Sequence, residues 1–232
     1  MGTLVSCRLK DSVATITMDD GKVNAISLQM VTELNAALDQ AAAGSAVVLL
    51  GGREGVLSAG FDLGTLRAGG GEAVELVRGG FELAARLLSF PAPVVIACTG
   101  HAVAMGAFLL LSGDYRVGAA GPYRLAANEV AIGITMPYAA VEILRQRLIP
   151  AVFTRAVTLA EVFSPDDAVA AGFLDRVVEP ARMWDAARAT AESLTGLDMA
   201  AHAASKLRAR RHMLEAVRAG IAEEFGAATT AL

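Results

Sequence analysis

The stretch VVIACTGHAVAMGAFLLLSGDYRVGA, residues 94 to 119, decides the fold class. Its opening, VVIACTG, is a short apolar run closed by a glycine, with no polar alternation. Such a run reads as a strand buried on both faces. MGAFLLLSG follows as a short apolar helix, and DYRVGA as a further strand. Strand, helix and strand in close succession belong to an α/β chain with a largely parallel sheet.

The rest of the chain extends this pattern in both directions. AVVLLG, 46 to 51, is another continuous apolar strand. Ahead of it, LVSCRL and VATITM alternate on either side of KDS and read as a hairpin. DDGK then ends the second strand with turn chemistry. Ser27 caps a helix through about Ala43, with Leu28, Val31, Leu34 and Leu38 on one face, and Gly44 stops it. GREGVLSAGFDL, 52 to 63, reads as a glycine-containing loop, followed by a helix from about Glu72 to Ser89. Beyond residue 119, AANEV lies in a loop and a helix runs through PYAAVEILRQRL. SPDDAVAAG, 164 to 172, opens a short helix with proline in its first turn and glycine at its end. LDRVVE reads as a last strand, and from Ala181 onward the chain is helical. With no fixed-period repeat and no long linker, residues 1–190 form one catalytic core, and 191–232 a helical C-terminal segment.

Composition narrows the function classes. The chain has 232 residues, 54% of them hydrophobic, enough for one domain with a full core. A net charge of -4 gives no reason to expect a nucleic-acid partner. KLRARRH, 206 to 212, concentrates cations on a helical pattern and reads as a solvated face rather than an anion or cofactor contact. Two cysteines, Cys7 and Cys98, fit a reducing cytoplasm. The N-terminus alternates like a strand, which speaks against a secretory signal. MGTLVS formally matches a myristoylation pattern, but a strand start explains it as well. The longest apolar run, AVAMGAFLLL, is too short to span a bilayer, so no membrane partner is expected.

Several chemistries lack their motifs. No G-x-G-x-x-G follows a strand, and there is no G-x-x-x-x-G-K-[ST] loop. Ser58 in GVLSAG is not a G-x-S-x-G elbow and reads as a small loop residue. His101, His202 and His212 are far apart and lack metal-ligand spacing, so no metal is expected.

Three segments carry a different signal. In SAGFDL, 58 to 63, small residues permit a sharp turn, and Asp62 can cap a helix starting at Leu63. A backbone N–H just before that cap points out of the turn, where negative charge is favoured. In GHAVAMGAFLLLSGD, 100 to 114, a second strand end leads through small residues to N–H groups near Met105 and Gly106. Two such groups converging on one point make an oxyanion hole; two ordinary strand-to-helix turns are the alternative. The third is AANEVAIGITMPY, 126 to 138, in which Glu129 is the lone carboxylate among apolar residues. Either Glu129 ends an element as a cap, or an apolar pocket raises its pKa towards the working pH and makes it a better base.

KVNAIS, SAGFDL, GHAVAMGAFLLLSGD and NEVAIGITMP together resemble successive landmarks of the enoyl-CoA hydratase/isomerase, or crotonase, family, over about residues 4 to 190. The resemblance implies a spiral of ββα units with a helical C-terminal portion that serves oligomerisation and covers the site. It also implies a homotrimer or dimer of trimers acting on acyl-CoA thioesters in fatty acid metabolism, with no cofactor beyond the CoA of the substrate. The implied oxyanion donors are the backbone N–H groups of Phe61 and Met105. The implied CoA and substrate contacts are Lys22, Ser58, Ala59, Gly60, Asp62, Leu63 and Phe108. Glu129 matches a catalytic glutamate of the family. Two departures matter. Met105 stands where the hydratases commonly have glycine, so its side chain is expected to narrow the acyl pocket or change the local turn. Phe108 stands where they carry a second glutamate.

Water addition to a conjugated double bond is best served by two positioned carboxylates, whereas moving a double bond needs one base. With Glu129 alone, 3-enoyl-CoA to 2-enoyl-CoA isomerisation is the favoured reaction. Hydration with help from a non-standard second group, Glu142 first, is the alternative. Asp62 and Asp114 read as structural. An acyl-CoA binder with little turnover, or another enolate enzyme such as a thioester hydrolase or decarboxylase, completes the range.

Overall fold

Two alternating segments and a tight turn build the first element pair. In the computed structural model, which describes residues 2–226, β1 (Val5–Lys10) and β2 (Val13–Met18) pair antiparallel. Val5 lies opposite Met18, and Lys10 opposite Val13. Asp11 and Ser12 between them both have positive φ, the handedness that matches strand twist in a two-residue hairpin. α1 (Leu28–Ala43) begins where expected, because Ser27 Oγ accepts the Met30 N–H at 3.1 Å.

β3 (Val47–Gly51) leads into β4 (Gly55–Ser58), then α2 (Leu63–Ala68) and α3 (Gly70–Leu88). β5 (Val94–Cys98) leads into β6 (Gly100–Val103) and α4 (Met105–Leu111). β7 (Tyr115–Ala119) leads into β8 (Leu125–Ala126), a 3-10 turn at Val130–Ile132 and α5 (Tyr138–Arg145). α6 (Pro150–Leu159), α7 (Pro165–Ala171), β9 (Arg176–Val178), α8 (Met183–Ser193) and α9 (Met199–Phe225) complete the chain. The main sheet has the order β1-β2-β3-β5-β7-β9, parallel throughout except for the hairpin. β4, β6 and β8 form a second, parallel sheet. Each turn of the spiral therefore gives one strand to each sheet, and helices return the chain.

Helices cover both faces of the main sheet, which is why its strands are continuously apolar. Val47, Leu49, Val95, Ala97 and Val117 pack against Met183, Ala187 and Ala191 of α8. Val48, Leu50, Val94 and Ile96 join the larger core that includes α1 and α3.

The whole second sheet escaped the sequence reading. GREGVLSAGFDL is not simply a loop, since it contains β4; GHAV forms β6, and β8 takes in the first residue of AANEV. Strands of two to four residues are too short to show a period. α6 was also missed, although Pro150 in its first turn is a legible start signal.

KLRARRH needs correction. Lys206 is buried, and its Nζ lies 2.6 Å from Asp114 Oδ2 and donates to the Phe90 and Ala92 carbonyls at 2.9 Å. Arg210 pairs with Asp114 Oδ1 at 2.9 Å. Two cations of that run thus fasten α9 to the core, where it lies against α3 and α5. Leu207, Arg208, Arg211 and His212 remain exposed. The tail of the expected C-terminal segment, 227–232, lies outside the described residues. Among the described residues no helix is long and apolar enough to cross a membrane.

Candidate active site

Two chain segments meet at the ends of β4 and β6. After β4 the backbone turns through Gly60, whose φ of +101° favours glycine. Buried Asn24 holds this turn, its Nδ2 donating to Met18 O at 3.0 Å and Leu57 O at 3.1 Å. Ser58 Oγ donates to Asn24 O at 2.7 Å and accepts the Gly60 N–H at 3.2 Å. Ile26 N–H donates to Gly60 O, and Asp62 N–H donates to Ile26 O. Between these ties, the Phe61 N–H has no acceptor among the described residues. Asp62 caps α2 through Thr65 N–H at 2.8 Å, as expected.

After β6 the chain passes through Ala104 at φ 51° and ψ -125°, a conformation that costs a non-glycine residue about 1–3 kcal/mol. Ala104 N–H donates to Ala126 O at 2.9 Å, which fixes the approach to α4. The next residue, Met105, opens α4, and its N–H likewise has no acceptor among the described residues. Gly106 sits so close to β4 that a Cβ there would lie 2.2 Å from Ser58 O. A Cβ on Gly60 would lie 3.5 Å from Met105 N. The two unpaired N–H groups therefore stand on segments in direct contact.

A cavity of about 560 Å³ opens beside them. Its walls are mostly apolar and include Ala59, Phe61, Leu63, Phe81, Ala104 and Phe108. Phe108 is fully buried and stacks on Phe81 at 5.8 Å between ring centroids, and Phe81 stacks on Phe225 of α9 at 6.0 Å. Among the described residues the one carboxylate in the wall is Glu129. It is 7% exposed, its Oε2 has no partner among the described residues, and its side chain makes no cap hydrogen bond. Burial lifts its pKa to about 7, opposed in part by its own backbone N–H. The helix-cap alternative is thereby removed.

The other acids lie elsewhere. Glu142 pairs with Arg145 on α5 at 3.2 Å and does not line the cavity. Asp114 is spent on Lys206 and Arg210.

A second cavity, about 520 Å³, is lined by Lys22, Val23, His101 and Arg124, and shares Ala59 and Asn128 with the first. His101 Nδ1 accepts the Arg124 N–H at 3.1 Å, so the neutral ring carries its proton on Nε2.

The structure thus brings Ala59, Phe61, Leu63, Phe108 and Glu129 around one cavity and places Lys22 in its neighbour. Ser58, Gly60, Asp62 and Met105 line neither; they shape the turns. The Met105 side chain does not narrow this cavity, being fully buried with its sulfur beside Gly80 of α3. Sequence reasoning passed over Asn128, Ala104 and Phe81, and weighed His101 only as a metal ligand. Only Asn128 had a usable signal, as a polar neighbour of Glu129 in an apolar stretch.

The profile of the enoyl-CoA hydratase/isomerase family matches residues 8–227. The chain belongs to that family. Over 217 residues it is 30% identical to a probable enoyl-CoA hydratase of Mycobacterium avium, covering 92% of this chain and 79% of that one. An enoyl-CoA hydratase/isomerase family protein from Pseudomonas syringae superposes with a TM-score of 0.94 at 48% identity, with 96% of each chain covered. An enoyl-CoA isomerase of Mycobacterium tuberculosis superposes with a TM-score of 0.92 at 50% identity, covering 95% of this chain and 97% of that one. These relatives share the crotonase fold, and the protein is an enzyme of the hydratase/isomerase family acting on acyl-CoA.

Proposed function

We propose that this enzyme converts 3-enoyl-CoA to 2-enoyl-CoA with Glu129 as its single base. The observation that carries the proposal is the cavity wall, where Glu129 is the one carboxylate among the described residues and Phe108 stands as a buried ring. Glu129 takes a proton from C2 of the 3-enoyl thioester. The electrons move into a dienolate, whose oxygen accepts from the Phe61 and Met105 N–H groups. The proton returns to C4, leaving a double bond between C2 and C3. One such N–H donor is worth about 3–4 kcal/mol of barrier. A carboxyl with a pKa of about 7 is half ionised at neutral pH and matched to both proton transfers.

The acyl chain occupies the apolar cavity, and the CoA arm runs through the second one past Ala59, Lys22 and Arg124. CoA is part of the substrate, and the reaction draws on no further cofactor. A homotrimer or dimer of trimers in the cytoplasm fits the family. Ile132 and Ile134, 55% and 44% exposed while lining the cavity, support such an assembly, since a neighbouring copy would cover them. Sedimentation should give three or six times the chain mass of 23.9 kDa; a monomer at working concentration would contradict it.

The deciding experiment offers purified protein 2-enoyl-CoA and 3-enoyl-CoA separately and identifies the products. Isomerisation with weak hydration is expected. Hydration at kcat above roughly 100 per second would instead show a hydratase. Tight binding without a product would show a binding protein, and free CoA a hydrolase.

A further inference from the structure

We propose that Asn128 recognises the amide of the CoA arm that lies closest to the thioester, and so sets how far the acyl group advances towards Glu129. This rests on the acyl-CoA reading above. Asn128 lines both cavities and stands at the place where they adjoin. Its Oδ1 is shielded from solvent and has no partner among the described residues, a costly state that is relieved when the carboxamide turns to meet an incoming donor. A carboxamide offers one acceptor and two donors on a single plane, and a half-turn about χ2 exchanges their places.

The chemistry of the ligand names the partner group. An enoyl chain carries no hydrogen-bonding group beyond its thioester. The thioester oxygen belongs to Phe61 and Met105 in the proposed reaction. On the CoA side, the first polar group beyond the sulfur is a secondary amide, two methylenes away. It has one N–H and one C=O, the complement of a carboxamide. A hydrogen bond at the divide between the two cavities fixes the register of the substrate, because the sulfur and its carbonyl are only a few bonds distant. Glu129 is the next residue in the chain, so the group that reads the arm and the base move together.

The test pairs a variant with a substrate analogue. Asn128→Leu keeps the branching and heavy-atom count of the side chain and removes its hydrogen bonds. The analogue replaces the first amide of the CoA arm with an all-carbon link of equal length. Binding of saturated acyl-CoA is measured by calorimetry, and KM and kcat with the turned-over enoyl-CoA. With the wild-type protein, the analogue should bind about tenfold more weakly than native acyl-CoA, the worth of one good hydrogen bond. With Asn128→Leu the analogue and native ligand should bind alike, and the variant should lower kcat as well as raise KM, because the acyl group loses its register against Glu129. An equal loss from the analogue in both proteins overturns the role of Asn128 while leaving the acyl-CoA reading intact. A failure of the wild-type protein to bind native acyl-CoA overturns both.

Discussion

Phe108 and Phe81 stack with ring centroids 5.8 Å apart and planes inclined by 27°, closing the wall of the apolar cavity that faces α3 and α4. The contact makes this side of the site dry, which suits a dienolate and discourages water addition. Phe108→Glu should raise the ratio of hydration to isomerisation by roughly tenfold or more, the low end of what a positioned acid contributes. The new carboxyl loses the stacking and has no obvious partner, at a cost of about 2–7 kcal/mol, so a melting curve must accompany the product analysis. An unchanged product ratio in a folded variant would sink the assignment.

Glu129→Gln should abolish most turnover and leave acyl-CoA affinity largely intact. In the wild-type protein, kcat/KM should fall about tenfold per pH unit below a pKa near 7, because the ionised form is the base. The sign for stability is opposite. A carboxyl whose folded pKa is raised favours the folded state at low pH, and that advantage is lost as pH rises from its ordinary value of 4.5 through 7. Glutamine is exempt from this loss. Glu129→Gln should therefore be more stable than wild type at pH 8, by up to about 3 kcal/mol, and the gap should close near pH 4. Urea unfolding at the two pH values measures it.

Gly106→Ala places a Cβ 2.2 Å from Ser58 O, a backbone atom that cannot turn aside. The first turn of α4 must move away from β4, and the Met105 N–H moves with it. A displacement of about 1 Å at a reacting centre costs on the order of 100-fold in rate. Steady-state kinetics should show that loss together with a lowered melting temperature; full activity would show that the Met105 N–H does not bind the reacting oxygen.

Asp114→Ala removes the anion shared by Lys206 and Arg210 and strands a buried ammonium. Breaking a buried pair by one partner costs about 3–5 kcal/mol. The expected result is early proteolysis within α9 and a matching drop in the urea midpoint. Asp114→Asn should cost less, since its amide oxygen can still accept the Val94 N–H that Asp114 binds at 2.8 Å.

Sequence alone determined the elements whose signal is local. The buried runs of β3 and β5, the Ser27 and Ser164 caps, and the Asp62 cap were legible because burial on two faces and capping chemistry write themselves into short spans. Glu129 stood out for the same reason, as a charge in an apolar stretch. The second sheet was not legible, because β4, β6 and β8 are too short for periodicity and exist only by pairing with one another. Nor could the sequence tell that Lys206 and Arg210 are held at the core while Arg208 and Arg211 face solvent, since the partner is Asp114, far back in the chain. The tertiary structure alone turned Met105 away from the cavity and set Asn128 where two cavities adjoin. Each outcome depends on which distant segments approach, and propensity along the chain carries no record of that.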